Sequence, residues 1–162
     1  MHRLGTLTIS LLIGAALYAG DALAQTANHV GTWKLLSSET VRADGTRAPT
    51  FGGDATGILI FGADSRFIYL FSRADLPKFA SNNRNTGTPE ENTAVVKGSI
   101  STSGTYSVAG TVFTIKVEHS TFPNWIGSEQ KRTITVTGDD MKWSNPAGSG
   151  GGVVELVLKR VK

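Results

Sequence analysis

From Val30 to Val161 apolar and polar side chains alternate with a period of two, in short runs broken by Gly, Asp and Asn. Successive side chains of a strand point to opposite faces, so each run carries one apolar and one polar face. A chain made almost wholly of half-buried strands has two solutions: it closes its sheet into a barrel, which removes the exposed edges, or it stacks two sheets as a sandwich. Residues 30–41, 57–61, 66–73, 104–108, 111–119, 129–137, 141–144 and 153–161 predict eight strands. Asp44-Gly45, Gly62-Ala63-Asp64-Ser65, Ala109-Gly110 and Gly138-Asp139 read as turns between them. Consecutive antiparallel strands on short connections predict an all-β, eight-stranded up-and-down antiparallel barrel. A β-sandwich is the other reading.

One stretch breaks the pattern. Residues 74–103 are polar, with Asn82-Asn83-Arg84-Asn85 near the centre. Thr88 is placed as an N-cap, Pro89 as the first helical residue and Glu91 as the partner in a capping box. A helix from Pro89 to about Ile100 would shelter Ala94, Val95 and Ile100. Long insertions that carry their own helix are more often functional than idle, so this segment is expected to be a lid.

His2 and Arg3 form a basic start, residues 7–19 an apolar stretch and Ala22-Leu23-Ala24 a small-x-small cleavage site. That pattern predicts a signal peptide over residues 1–24 and a periplasmic or secreted mature chain from Gln25. A membrane anchor is the competing reading. The run falls short of the roughly 20 apolar residues a span needs and contains Thr8, Ser10 and Gly14, so no membrane span is expected after cleavage. Removing 24 of 162 residues leaves 138, enough for one domain over residues 25–162, with no repeat and no shift in composition. The chain has no cysteine, so an exported domain of this kind must stand on packing. The net charge is +3 and the pI near 9.3, but Lys and Arg are scattered and do not interleave with aromatics. Nucleic acid is therefore not an expected partner. The positive excess mildly favours anionic ligands.

Meander connectivity assigns the two ends. If the chain enters near Trp33, the connections at 62–65, 109–110 and 138–140 fall at one end and are short. Those at 42–56, 74–103, 120–128 and 145–152 fall at the other and are long. Such a barrel has a floor and a mouth, and eight strands leave room for one small ligand. Alternation then predicts the lining. Trp33 and Leu35 share a face with Ser37 and Glu39, and Phe67, Tyr69 and Phe71 with Arg73. Phe113, Ile115 and Val117 share one with His119, and Ile134 and Val136 with Arg132 and Gln130. Each face is apolar towards the floor and polar towards the mouth. Glu39, Arg73, His119, Gln130 and Arg132 are expected to ring the mouth, with Tyr106 and Trp125 as aromatic neighbours.

Gly31-Thr32-Trp33 opens the first run as the Gly-x-Trp signature does in lipocalins. Together with Asp44-Gly45-Thr46, Gly57-Ile58-Leu59-Ile60-Phe61, Gly87-Thr88-Pro89-Glu90-Glu91, Gly104-Thr105-Tyr106 and Phe122-Pro123-Asn124-Trp125-Ile126-Gly127, it resembles the bacterial lipocalin-like domain family over most of residues 30–161. The resemblance implies a calycin-type barrel. It also implies a structural pairing at the closed floor, where Arg160 crosses the Trp33 ring beside Gly31. It implies no particular activity.

Two chemistries fit the mouth residues. In a binding protein, His119 and Arg132 would hold the carboxylate, carbonyl or hydroxyl of a small, largely apolar molecule, Arg132 in bidentate fashion, with Gln130, Trp125, Tyr106, Arg73 and Glu39 around it. In an isomerase or cyclase, His119 would act as acid and base, Glu39 would orient it or take a proton, and Arg132 would stabilise developing negative charge. Structural readings stand beside both. His119 can be a hydrogen-bonded strand end, Arg132 an ion pair with Glu39 or Glu118, Glu39 a rim charge and Trp125 an anchor of the core. A barrel filled by Phe67, Phe113 and Trp125 would instead be a structural or interaction module. The capping box accounts for Glu90-Glu91, and the glycine run at 148–152 lacks the Lys of a phosphate loop. With so few His and no Cys, no zinc and no other cofactor is expected.

Overall fold

A computed structural model describes residues 28–162; the expected leader and its cleavage point after Ala24 lie outside the described residues. Its strands are β1 (Gly31–Val41), β2 (Arg47–Pro49), β3 (Ala55–Phe61), β4 (Arg66–Arg73), β5 (Ser99–Ala109), β6 (Val112–Ser120), β7 (Glu129–Thr137), β8 (Asp140–Asn145) and β9 (Val153–Arg160). One α-helix, α1 (Pro89–Gly98), lies between β4 and β5. Strand β1 closes the sheet by pairing on both sides: Trp33 stands opposite Leu59 of β3 and opposite Arg160 of β9. The other strands pair antiparallel in chain order, giving the closed eight-stranded barrel that the short connections demand. The sandwich reading fails on the β1–β9 pairing. The extra strand β2 pairs with the end of β1 that β3 does not reach. It has three residues, too few for a period to show.

Helix α1 begins as expected. Glu91 N donates to Thr88 Oγ1 (3.2 Å) and Thr88 N to Glu91 Oε2 (2.8 Å), completing the capping box. It stops at Gly98, short of Ile100. Strand β5 starts at Ser99 because residues 99–103 pair with β4, Ile100 opposite Phe71 and Thr102 opposite Tyr69. Ser-Ile-Ser-Thr-Ser already alternates, but its small polar members hid a strand. The insertion is thus 74–98, not 74–103.

Two bulges change which side chains face inward. Along β1 and β9, Leu35 stands opposite Leu158 and Ser37 opposite the next residue, Val157, so Leu36 is extra. Along β5 and β6, Gly104 stands opposite Val117 and Ser103 opposite His119, so Glu118 is extra. One additional residue flips every later side chain to the other face. Beyond Leu36, Ser38 and not Glu39 turns inward; beyond Glu118, Ser120 and not His119 does. Gly104 permits the second bulge, since a Cβ there would lie 1.9 Å from Lys116 O.

The floor half is packed solid. Trp33, Leu59, Ile115, Met141 and Leu158 are 0 % exposed, each contributing about 1.5–3 kcal/mol by burial. Arg160 lies over Trp33 with Cζ 4.2 Å from the ring centroid. It donates to Val30 O (2.8 Å) and to Asn28 O. Trp33 Nε1 donates to His29 O (2.8 Å). The His29 ring is buried edge-on to Phe61 and Phe113, with Nε2 3.0 Å from the Tyr106 hydroxyl. That hydroxyl gives its only hydrogen to Gly62 O (2.8 Å). His29 Nε2 is therefore the donor, and Nδ1 has no partner among the described residues. Burial, and then the Arg160 charge, hold its pKa below the usual histidine value. Tyr106 accordingly belongs to the floor, not to the mouth where it was expected. β5 runs from mouth to floor and Tyr106 sits near its floor end.

Candidate ligand-binding site

Towards the mouth the packing opens. An inner cavity of ≈ 50 Å³ lies among β1, β4, β5, β7, β8 and β9. At roughly 10–15 Å³ per enclosed water it holds roughly three to five waters. Above it the mouth widens into a funnel of ≈ 860 Å³. Thr50, Phe51, Ile100, Ser149 and Val154 line both spaces. Phe51, buried on the turn after β2, is the largest of these. The cavity walls are aromatic. Tyr69 and Phe71 of β4 stack at 4.7 Å and 10°, and Trp143 of β8 stands edge-on to Tyr69 at 5.8 Å. Trp125 closes one side from the 3-10 turn Pro123–Trp125.

Arg132 is the charged group in this wall. It points inward from β7 and is 2 % exposed. Nη1 donates to Lys131 O (3.0 Å) and Nη2 to Gln130 Oε1. The guanidinium lies 5.7 Å from the Trp125 ring centroid. It makes no ion pair among the described residues, and its buried Nε has no partner. Burial lowers its pKa from the ordinary arginine value to about 10, against the neighbouring Tyr69, which raises it. Arg132 therefore stays charged at neutral pH in a place that penalises charge. Burial also pushes the Tyr69 phenol up, opposed by Thr102 and Arg132. A second orphan faces the same cavity: Ser38 is 4 % exposed and its Oγ has no partner among the described residues.

The residues expected at the mouth divide into three groups. Arg132, Gln130 and Trp125 come together, and Gln130 Nε2 is fixed by Ser128 Oγ (2.8 Å). Arg73 reaches the funnel but is paired with Asp75 (2.9 Å). Glu39 and His119 do not join them. Glu39 binds Arg47 (2.8 Å) on the outer surface, and Arg47 also bridges Glu155 (2.5 Å). His119 is exposed, its Nδ1 3.4 Å from Ser103 Oγ. Glu118 pairs with Arg66 (2.6 Å). Neither Glu39 nor Glu118 neutralises Arg132, and the expected His119–Glu39 acid/base pair is not assembled inside the barrel. The two bulges are the cause.

Residues 30–160 match the family described as lipocalin-like domain. The chain belongs to the lipocalin-like domain family. A solved lipocalin-like protein from Bacteroides uniformis is similar in fold, at 15 % identity and a TM-score of 0.45 over 83 % of this chain and 99 % of that one. A mutant of the fluorescent protein UnaG is similar at 15 % identity and a TM-score of 0.39, over 85 % and 99 %. Comparison with curated proteins finds no match. In this lipocalin-like barrel, three residues that alternation did not single out complete the site: Ser38, Phe51 and Asn145. Asn145 had a signal, since it continues the inward parity of Met141 and Trp143. Phe51 had a weaker one, an aromatic placed before Gly52-Gly53 in a loop. Ser38 had none without the bulge. The helix of the lipocalin-like insertion contributes Val96 and Lys97 to the funnel but nothing to the inner cavity. Among the described residues no group of three His, Asp or Glu converges as a metal site, and no helix is long and apolar enough to cross a membrane.

Proposed function

We propose that the barrel is a carrier for a small, largely apolar molecule whose acidic head group pairs with Arg132. The observation that carries this reading is a buried guanidinium with no counter-charge, in a cavity otherwise walled by aromatic rings. Burying an unpaired charge costs several kcal/mol, and an incoming carboxylate offsets that cost with bidentate, charge-assisted hydrogen bonds. The inner cavity is far below the roughly 300–1,000 Å³ of pockets for drug-sized ligands. Even a single ring must therefore swing Phe51 and the β2 turn aside and extend into the funnel. The leader pattern supports an exported carrier that works outside the cytoplasm. An isomerase or cyclase on this barrel has lost His119 as its acid and base, and nothing else in the cavity favours that reading. The test is native mass spectrometry of protein purified from its own host. The expected spectrum shows a bound small acid on wild type and none on Arg132→Met. A ligand carried equally by both proteins contradicts the reading.

A further inference from the structure

The Arg132 reading accounts for one pole of the cavity and leaves the other unexplained. Ser38 lies on β1, reached from β7 by way of β8 and β9, three strand spacings round the wall. At ~4.8 Å per spacing that is roughly 14 Å along the sheet, nearly opposite Arg132 in a closed eight-stranded barrel. Its Oγ is buried without a partner, in strand positions that are otherwise filled with apolar side chains: Ser38 stands opposite Leu156, and Leu156 opposite Trp143. A hydroxyl buried without a hydrogen bond is destabilising, and such groups are rare without a reason. Asn145, 6 % exposed, lines the same space from β8, the strand next to Arg132, and so belongs to the first pole. Its Oδ1 accepts from Ala147 N (3.0 Å), which leaves its NH2 as the group it can offer. Tyr69, Phe71, Trp125 and Trp143 line the same space.

We propose that Ser38 forms a second polar subsite, so that the barrel selects aromatic acids with a second oxygen at the far end of the molecule. The proposal rests on the carrier reading above and specifies its ligand class. The carboxylate faces Arg132 with the Asn145 amide beside it, the ring lies among the aromatics once Phe51 swings aside, and a hydroxyl or carbonyl oxygen meets Ser38 Oγ. Binding is tightest when both poles are satisfied together. That would discriminate against acids with plain hydrocarbon tails, because a site built to hydrogen-bond an oxygen rejects the analogue that lacks it.

The test uses pairs of acids that differ by one hydroxyl: benzoate and 4-hydroxybenzoate, phenylacetate and 4-hydroxyphenylacetate, cinnamate and 4-hydroxycinnamate, with hexanoate as the non-aromatic control. Each is titrated calorimetrically into wild type, Ser38→Ala and Arg132→Met. In at least one pair, the length that spans the poles, wild type should bind the hydroxylated acid about five-fold more tightly, the scale of one net hydrogen bond. Ser38→Ala should bring that ratio to about one while still binding the plain acid, and Arg132→Met should lose both. Equal affinity within every pair on wild type, with binding still dependent on Arg132, overturns the second subsite alone and assigns Ser38 to a water. Hexanoate binding as tightly as the aromatic acids overturns the ligand class. Acids that bind Arg132→Met as well as wild type, or none of them binding at all, overturn the carrier reading and this proposal with it.

Discussion

Replacing Arg132 with methionine should make the ligand-free protein more stable. The pKa displacement from the ordinary arginine value to about 10 corresponds to about 3 kcal/mol of penalty on the charged form, at 1.36 kcal/mol per unit. The sign follows from linkage. The folded pKa lies below the unfolded one, so from about pH 10 up to the ordinary arginine value the unfolded chain binds the extra proton and stability rises with pH. Below that window, and so at pH 7, the whole penalty is present. Against it stand the contact with the Trp125 ring and the hydrogen bonds to Gln130 and Lys131 O. The ring contact contributes ~1 kcal/mol and the hydrogen bonds a similar amount, because half-buried Gln130 can turn to solvent when its partner goes. The net expectation is a gain of about 1–2 kcal/mol for Arg132→Met, or about 3–7 °C in Tm for a domain of this size. The assay is thermal unfolding by circular dichroism at pH 7, with and without saturating cinnamate. Without it the variant should melt higher. With cinnamate at 100 times its dissociation constant, wild type alone should gain about 2.7 kcal/mol and overtake it. A variant destabilised by 2 kcal/mol or more without ligand would refute the reasoning, because Arg132 would then be held by its protein contacts and not waiting for an anion.

The remaining expectations concern the frame. Gly104→Ala should cost more than 2 kcal/mol in urea unfolding, since its Cβ would meet Lys116 O at 1.9 Å at the bulge; a neutral substitution would mean the bulge is not fixed there. His29 is buried and neutral with its pKa lowered, so the folded protein binds fewer protons than the unfolded one as pH falls through ~6.5. Stability should drop across that range, and His29→Phe should flatten the profile measured as Tm between pH 5 and 7.5. Thr88→Ala removes half of the capping box. It should cost α1 about 1 kcal/mol, read as faster amide exchange in residues 89–98 with little change in global Tm.

Most of the barrel was legible from period and turns, because half-buried strands must alternate and the connections alternate in length. The capping box at Thr88-Pro89-Glu90-Glu91 was legible for a similar local reason. What alternation could not reveal is where one residue is added. Leu36 and Glu118 look like ordinary members of their runs, yet each shifts the parity of the residues that follow towards the mouth. Glu39 and His119 therefore read as interior and lie outside, while Ser38 reads as exterior and lies inside. Strand β7 has no bulge, and there Gln130 and Arg132 were placed correctly by the same rule. Strand β5 was read short because Ser99–Ser103 pairs through its backbone with side chains too small to signal burial. Tyr106 was misplaced for another reason, since parity gives the face of a strand and not the depth along it.

The central claim is that Arg132 is kept buried and unpaired to receive a negative charge. Its most direct test compares cinnamate with cinnamide, equal in shape and different in charge, by calorimetric titration at pH 7. Wild type should bind cinnamate at least ten-fold more tightly than the amide, about 1.4 kcal/mol, and Arg132→Met should lose that preference. An amide that binds wild type as tightly as the acid would contradict the account.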